Sequence, residues 1–346
     1  MARERRICAT MPHHFQMAAT DEDYRTRRRQ IEQFTRTARI APRSRVATIP
    51  VVVHVIYHDE AENLSLAQVQ SQIDVLNRDF RGRNEDRSTL PAVFAKDIGD
   101  ARIEFALARR DPRGQPTGGI TRTRTAVVEF PYDGSASATA QLDAMIKLAP
   151  AGVAAWPRDD YLNLWVCPLG GGLLGYAQFP GGAAATDGVV IRSTAFGTVG
   201  NVMPHYDLGR TCVHEVGHWF NLLHIWGDDG DGCRNSDSIA DTPNQGGPNE
   251  GTPVFPVISC GNGPDGDMFM NYMDYVDDSA MVLFTRGQVE RMDAALAGPR
   301  APLLVSAGLV APGTEAAGGS PVQRGSDLLL AFAPPWQKIF DGVNWI

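Results

Sequence analysis

Short apolar runs and helical stripes alternate along the first half of the chain. The stretch from Ile49 to Tyr57 is nearly continuous and β-branched, which predicts a strand buried on both faces. Leu66 to Phe80 repeats its apolar positions at helical spacing after Ser65, a suitable N-cap. The same patterns predict strands at 103–108, 161–167 and 187–192, a helix at 141–148, and an irregular or extended stretch at 120–128. Strands that alternate with helices indicate an α/β sheet with mostly parallel strands.

The two ends of the chain differ from this middle part. Residues 1–45 hold 11 arginines, no lysine and 5 acidic residues, a balance of +6 in a chain whose net charge is −8. A charged helix followed by an arginine-rich connector is predicted from residue 21 to 45. Residues 298–325 are rich in Gly, Ala and Pro, which is typical of a linker, and a short apolar, aromatic tail follows. We therefore expect a basic N-terminal segment (1–45), a body (46–298), and a linker with a tail of unknown role (299–346).

Charge and composition restrict what this chain can bind. The basic segment and the acidic body attract each other, which favours docking of the segment, although a solvated, disordered tail is the alternative. The negative net charge of the chain argues against a surface that binds nucleic acid. No stretch approaches about 18 consecutive apolar residues, so no membrane span is predicted. A hydrophobic content of 43% is sufficient for a sizeable globular core.

One segment carries the candidate chemistry. His214 and His218 stand four residues apart, Glu215 follows the first, and His224 lies six residues after the second. Positions i and i+4 share a helix face, so these two imidazoles can bind one cation. Imidazole nitrogen suits Zn²⁺, and three protein ligands leave a fourth position for water, as in catalytic zinc sites. Glu215 is placed to take a proton from that water, which predicts a zinc peptidase.

The third histidine requires a sharp turn of the backbone. In a continued helix His224 would lie about 240° around the axis from His218 and would point away from the ion. A left-handed residue near position 221 solves this, and asparagine is the second choice after glycine for that conformation. Asn221 fills the position. The alternative, a core helix with packed histidines, leaves the spacing of the third histidine unexplained.

These residues resemble the metzincin zinc endopeptidases, whose motif is HExxHxxGxxH followed by a methionine turn. Asn271 to Tyr275 is similar to that turn, and the surrounding sequence is similar to the pappalysin (cytophagalysin) family. The strings that carry the likeness, which covers roughly residues 46–298, are 162–167, 175–182, 241–243 and 266–278. One departure is Asn221 in place of the metzincin glycine.

The resemblance implies a fold and a substrate. We expect a metzincin-like α/β (α+β) domain with a twisted, mostly parallel five-stranded sheet, one antiparallel edge strand, a backing helix and an active-site helix. Its upper part ends at about residue 224, and the irregular lower part, 225–298, carries the methionine turn. The edge strand, around 176–179, binds extended polypeptide substrate by strand addition in this family. The implied activity is hydrolysis of internal peptide bonds.

Three further residues receive roles from the resemblance. Met273 forms an apolar floor below the zinc histidines and is not a ligand. Tyr275 approaches the metal or stabilises the oxyanion, with an ordinary core tyrosine as the alternative. Cys8 resembles a latency cysteine, because a prosegment thiolate can occupy the fourth zinc position; an incidental free thiol is the alternative. The chain would then be a zymogen whose first partner is its own N-terminal prosegment.

The region after the third histidine is rich in oxygen ligands, which suit Ca²⁺. Resemblance places calcium here, and we expect Asp237 and Thr242 among its ligands; a solvated acidic loop is the alternative. The other acidic residues of this region are Asp228, Asp229, Asp231, Asp241, Asp265 and Asp267.

Cysteine usage bears on the compartment. A family disulfide falls at positions such as Cys233 and Cys260, and it implies an oxidising, extracellular location. Cys167 and Cys212 are either buried thiols or a second bridge. The first 30 residues lack an apolar secretion core, so secretion is inferred from the family.

Specificity and catalytic competence leave alternatives open. A buried carboxylate after the methionine turn, at Asp274, Asp277 or Asp278, would favour Arg or Lys after the scissile bond, but structural roles are comparable. A metal-holding binding module without turnover and a zinc amidase acting on small substrates are the other functions considered. The oligomeric state cannot be derived from the sequence.

Overall fold

The computed structural model of the chain describes residues 5–228 and 232–313. Its centre is a six-stranded sheet, accompanied by a two-stranded sheet near the methionine turn. The strands of the large sheet are β1 (Ala47–Tyr57), β2 (Ile103–Leu107), β3 (Ile120–Arg124), β4 (Leu162–Cys167), β5 (Gly175–Ala177) and β6 (Val189–Arg192). The small sheet consists of β7 (Glu250–Gly251) and β8 (Tyr275–Val276).

The large sheet has the order β2-β1-β4-β6-β5, with β3 also paired to β1. All pairings are parallel except that of β5, the edge strand, with β6. The predicted fold class is therefore confirmed. The sheet has six strands instead of five because β2 and β3 lie one after the other along the same edge of β1, at residues 47–51 and 53–57.

Six α-helices of residues 5–228 and 232–313 pack around the sheet. Ser65 accepts a hydrogen bond from the backbone N–H of Gln68 and begins the third helix where the sequence predicted it. The helices are α1 (Thr10–Thr20), α2 (Glu22–Thr37), α3 (Leu66–Asp79), α4 (Ala136–Ile146), α5 (Arg210–Trp219) and α6 (Arg286–Ala297). The predicted charged helix from residue 21 is α2, whereas α1 was not predicted.

The alternation of side chains along β1 separates two cores. Val51 and Val53 face the main core, which they share with apolar residues of α3 and α5. Ile56 faces a second core that includes Leu142 of α4 and Trp165 of β4. The helix that carries the histidines, α5, packs on β5 and β6 of the sheet and lies against α3.

Both ends of the described chain pack on the body. Helix α1 lies beside α4, and α2 lies beside α6. At the other end, the Arg300 guanidinium lies 2.6 Å from Asp187 Oδ1 and 3.9 Å from the ring centre of Trp219. Leu303 is buried. The beginning of the predicted linker is therefore packed, and the predicted apolar tail lies outside the described residues.

Among the helices of the described residues, none combines the length and the apolar character that a membrane crossing needs.

Candidate active site

Helix α5 begins with a left-handed glycine and a carboxylate. Gly209 has φ 73° at the N-cap. Asp278 Oδ2 accepts hydrogen bonds from the backbone N–H groups of Leu208 and Arg210, at 2.9 and 3.1 Å. A carboxylate at this end satisfies free N–H groups and interacts favourably with the helix dipole. The start of the helix that carries His214 and His218 is fixed in this way.

The turn after α5 has the predicted conformation. Asn221 has φ 77°. Its N–H donates to the His218 carbonyl at 2.8 Å, and the Leu222 N–H donates to the Gly217 carbonyl at 3.0 Å. These two bonds close the helix and reverse the chain, which brings His224 back to the face of His218.

The three imidazoles converge on one point. His218 Nε2 lies 3.2 Å from His214 Nε2 and 3.1 Å from His224 Nε2. Each Nδ1–H donates at 2.7 Å, to the carbonyls of Tyr272 and Leu222 and to a carboxylate oxygen of Asp228 respectively. These second partners fix the tautomer, so that all three Nε2 lone pairs face one another.

This arrangement fits a zinc ion. Tetrahedral zinc with Zn–N bonds of about 2.0–2.1 Å separates its nitrogen ligands by about 3.3 Å, close to the distances found here. Burial lowers the pKa of His214 and of His218 well below the usual value, so both imidazoles are neutral. Facing lone pairs repel one another unless a cation lies between them. Three imidazole nitrogens are a donor set that zinc uses in catalytic sites.

Glu215 lies beside this cluster and is buried. Its Oε2 accepts hydrogen bonds from Thr10 Oγ1 at 2.8 Å and from Cys8 Sγ at 3.4 Å. Burial raises the pKa of Glu215 to about 7, although these hydrogen bonds oppose the shift. A carboxylate with such a pKa can take up and release a proton near neutral pH.

The N-terminal segment fills the cleft in front of the histidines. Cys8 pairs in parallel with Gly175 of β5, and Ala9 N–H donates to the Gly175 carbonyl at 3.0 Å. Cys8 and the three histidines offer ligand atoms that all lie within 4.8 Å of one another. Burial and the nearby Glu215 raise the pKa of the Cys8 thiol well above the usual value, which a bound cation would reverse.

Met273 and Tyr275 complete the surroundings of the cluster. Met273 is buried beneath α5, and a Cβ at Gly217 would meet its sulfur at 2.6 Å, so a larger residue at this helix position would displace the methionine side chain. Tyr275 lies beside the cluster, with its ring centre 4.9 Å from that of His224. Its hydroxyl donates to the Cys8 carbonyl at 3.4 Å. Burial raises the pKa of this phenol well above the usual value, so it stays a hydrogen-bond donor.

A pocket beside the three histidines holds the guanidinium of Arg6, a contact that was not predicted from the sequence. Arg6 is buried and donates to Asp278 Oδ1 at 2.6 Å, to Thr211 Oγ1 at 2.9 Å and to the Val276 carbonyl at 3.1 Å. Its guanidinium also lies 5.1 Å from the ring centre of Tyr206. The signal in the sequence was an arginine two residues before the candidate latency cysteine.

The other two acidic residues considered for specificity have different partners. Asp274 accepts hydrogen bonds from Gln245 Nε2 and Asn249 N–H, at 2.9 and 2.8 Å. Asp277 lies 3.1 Å from His205 Nδ1. Of these three carboxylates, Asp278 is the one that contacts Arg6.

The oxygen-rich region has several local hydrogen bonds. Thr242 Oγ1 lies 2.8 and 3.0 Å from the two carboxylate oxygens of Asp237, whose pKa burial raises to about 7. Asp241 accepts hydrogen bonds from Thr285 and Gly287 at the start of α6. Asp229 and Asp231 lie outside the described residues, and the calcium site stays a prediction.

Two residues of this region orient the third histidine instead. Asp228 was grouped with the calcium candidates, but its carboxylate accepts the Nδ1–H of His224. Trp226 stacks on the His224 ring at 4.4 Å and 5°. Sequence spacing could not distinguish such an orienting carboxylate from a calcium ligand.

The remaining cysteines and histidines have structural surroundings. Cys233 and Cys260 form a disulfide, as the resemblance implied. Cys167 and Cys212 are free and buried, which answers the question left open by the sequence. His54 lies in β1 and bonds to Thr121 and Asn163, away from the cluster.

Comparisons with known proteins agree with this geometry. The M43 peptidase family model, described as pregnancy-associated plasma protein-A, matches residues 151–297. An extracellular metalloprotease of Pyricularia oryzae is 33% identical over 76% of this chain and 79% of its own length. The structure of a mutant of Tannerella forsythia promirolysin has a TM-score of 0.78 and 46% identity, over 87% of this chain and 97% of that one. Tannerella forsythia mature mirolysin in complex with a cleaved peptide has a TM-score of 0.68 and 53% identity, over 72% and 91%.

Proposed function

This chain belongs to the pappalysin (M43) family of zinc metalloendopeptidases, and on that premise we propose how its own residues bind and cleave a polypeptide. His214, His218 and His224 hold the zinc ion. Glu215 is the general base, and Tyr275 is a hydrogen-bond donor to the reacting carbonyl. The observation that carries this proposal is the convergence of the three Nε2 atoms, with each Nδ1–H already bound elsewhere.

The chemistry divides between the ion and the side chains. When bound, zinc polarises a carbonyl and lowers the pKa of water. Glu215 Oε2, which here accepts from Thr10 and Cys8, becomes free when the N-terminal segment leaves. It then takes a proton from the attacking water and passes it on to the leaving amine. Tyr275, whose hydroxyl here bonds to a segment carbonyl, donates to the oxygen on which negative charge develops.

The pocket occupied by Arg6 suggests the cleavage preference. Asp278 is buried and carries the charge, while Thr211 and Val276 supply two further acceptors for a guanidinium. A planar guanidinium satisfies such a set better than an ammonium group does. We propose that the same pocket receives the residue after the scissile bond and that it prefers Arg over Lys.

Asp278→Asn is expected to reduce the preference for Arg over Leu after the scissile bond by about 30–5000-fold, because a buried charge-paired contact contributes about 2–5 kcal/mol. The substitution keeps an oxygen that can accept from Leu208 and Arg210, so the start of α5 is preserved. The measurement is kcat/KM for a matched pair of peptides. Asp277→Asn is the control, and equal losses in both variants would contradict the assignment.

The N-terminal segment supports a zymogen. The ligand atoms of Cys8 and the three histidines lie within 4.8 Å of one another. Thr10 donates a hydrogen bond to the carboxylate of Glu215, and the Arg6 guanidinium fills the pocket beside Asp278. We propose that residues 1–45 form an inhibitory prosegment that must be removed from a catalytic body of residues 46–298.

The proposal also includes where the protein acts, which is outside the cell. Similar proteins of Pyricularia oryzae and Arthroderma benhamiae are named extracellular metalloproteases. A disulfide persists in an oxidising compartment, and Cys233 and Cys260 form one. We propose that this protein is secreted and that calcium, with Asp237 and Thr242 among its ligands, stabilises the same region.

Metal removal tests the metal assignments together. A zinc chelator is expected to abolish casein hydrolysis by the processed protein, and added Zn²⁺ should restore it while Ca²⁺ should not. A calcium-selective chelator should lower Tm by about 5–10 °C with zinc retained, because calcium at a concentration of 100 times its Kd would add about 2.7 kcal/mol to the free energy of unfolding. Hydrolysis that persists with the zinc chelator would contradict the zinc mechanism. An unchanged Tm with the calcium-selective chelator would contradict the proposed calcium site.

A further inference from the structure

Asn221, which stands where metzincins have glycine, uses its side chain as well as its backbone. Its Oδ1 accepts from Arg28 Nη1 at 2.7 Å, and its Nδ2 donates to Glu32 Oε1 at 3.1 Å. Its carbonyl accepts from Arg291 Nε at 2.6 Å. Arg28 and Glu32 belong to α2 of the N-terminal segment, whereas Arg291 belongs to α6. A glycine at position 221 would allow the same turn but could make neither of the side-chain contacts.

The carboxylate of Glu32 is the centre of this network. Arg291 Nη2 donates to both of its oxygens, at 2.7 and 2.8 Å, and Arg28 Nη2 donates to Oε1 at 2.8 Å. The Arg291 side chain is only 4% exposed. Burial raises the pKa of Glu32, but the two arginines outweigh it and hold that pKa below the usual value. Charge-assisted contacts to a buried guanidinium are stronger than surface ion pairs, whose median contribution is about 0–1 kcal/mol.

The network positions α2 over one end of the cleft. Arg28 also donates to the Pro180 carbonyl at 3.1 Å and lies 4.9 Å from the ring centre of Phe179. Phe179 in turn contacts the ring of His218 at 5.5 Å. Phe179 and Pro180 follow β5, the edge strand, so α2 contacts the chain directly beyond the end of that strand.

We propose that Asn221 and Arg291 form a carboxylate receptor on the catalytic body, and that Glu32 binds to it and holds α2 in place independently of Cys8. The inference rests on the proposed latency, which it extends by a second anchor. The two anchors share no residue, because Cys8 contacts Glu215 and Tyr275 whereas Glu32 contacts Asn221 and Arg291. The ligand of the receptor is a carboxylate presented by a helix.

The test is hydrogen exchange of the α2 amides in the unprocessed full chain. Glu32→Gln keeps the shape of the side chain but removes its charge, and we expect the amides of Glu22–Thr37 to exchange about 10–100-fold faster. The amides around Cys8 should change by less than about threefold. Glu22→Gln is the matched control, because it makes the same chemical change at an exposed position of the same helix. Equal exchange in the two variants would overturn the receptor.

A second arm distinguishes this proposal from the proposed function. Hydrogen exchange requires neither turnover nor bound zinc, so it reports on the receptor even if the protein hydrolyses no peptide. In the unprocessed chain, Cys8→Ala and Glu32→Gln should raise the exchange of α2 by factors that multiply in the double variant. If Cys8→Ala alone releases α2 completely, so that Glu32→Gln adds nothing, the independent anchor is refuted.

Discussion

Replacing Glu215 with Gln is expected to lower kcat for peptide hydrolysis by about 10²–10⁴-fold, the usual contribution of a general base. The amide has the shape of the carboxylate but cannot take a proton from water. None of the three imidazoles has its Nδ1–H bound to Glu215, so zinc content should equal that of the parent. The measurement is kcat of the processed protein on a peptide with Arg after the scissile bond, together with metal analysis.

Tyr275→Phe is expected to lower kcat as well, but by no more than Glu215→Gln does. Loss of one hydrogen-bond donor to the developing oxyanion costs about 10²–10³-fold in kcat, and the zinc content should again be unchanged. If the Glu215→Gln protein keeps more than about a tenth of the parental kcat with zinc bound, Glu215 is not the base. Unchanged turnover of the Tyr275→Phe protein would remove that residue from the mechanism.

The second large effect is expected from Cys8→Ala in the unprocessed chain. Hydrolysis before any processing should rise about 10–100-fold, because each loss of about 1.4 kcal/mol in docking free energy raises the fraction of open sites tenfold. The rise should stay below full activity, since Arg6 still fills its pocket and Glu32 still contacts Arg291. The measurement compares initial rates of peptide hydrolysis with electrophoresis that proves the chain is intact.

Cys167→Ala is the matched control for this experiment. Cys167 is also free and buried, but it lies in the second core away from the histidines. The control should remain as latent as the parent. If Cys8→Ala behaves in the same way, Cys8 is an incidental thiol and latency depends on other contacts.

The sequence predicted the parts of the fold that follow from periodicity. The apolar run of β1 and the helical stripe of α3 were correct to within a few residues, because burial on two faces or on one stripe leaves a direct pattern. Helix α1 escaped prediction, since the two residues that it buries, Thr10 and His13, are polar and leave no apolar stripe in the sequence. The pairing of β3 also depends on a partner 67 residues away, as in the register of Val53 with Ile120.

The candidate site shows the same division between local and distant information. The histidine spacing and the left-handed conformation of Asn221 could be inferred because both follow from the geometry of a single helix. The roles of Arg6, Asp228 and Glu32 could not, because each depends on which distant group the fold brings within hydrogen-bond distance. The calcium ligands stay a prediction for a similar reason, since carboxylates in a loop have no fixed spacing.

The contact between Arg300 and Asp187 limits how far the C-terminus can be truncated without a loss of stability. Asp187 is buried, and its carboxylate also accepts the indole N–H of Trp219, the last residue of α5. A chain stopped at residue 298 would keep this carboxylate but lose Arg300, the nearer of its two cationic partners, and removing one partner of a buried pair costs about 3–5 kcal/mol. Expression designs that retain residues up to about 310 would preserve the pair and the turn behind it.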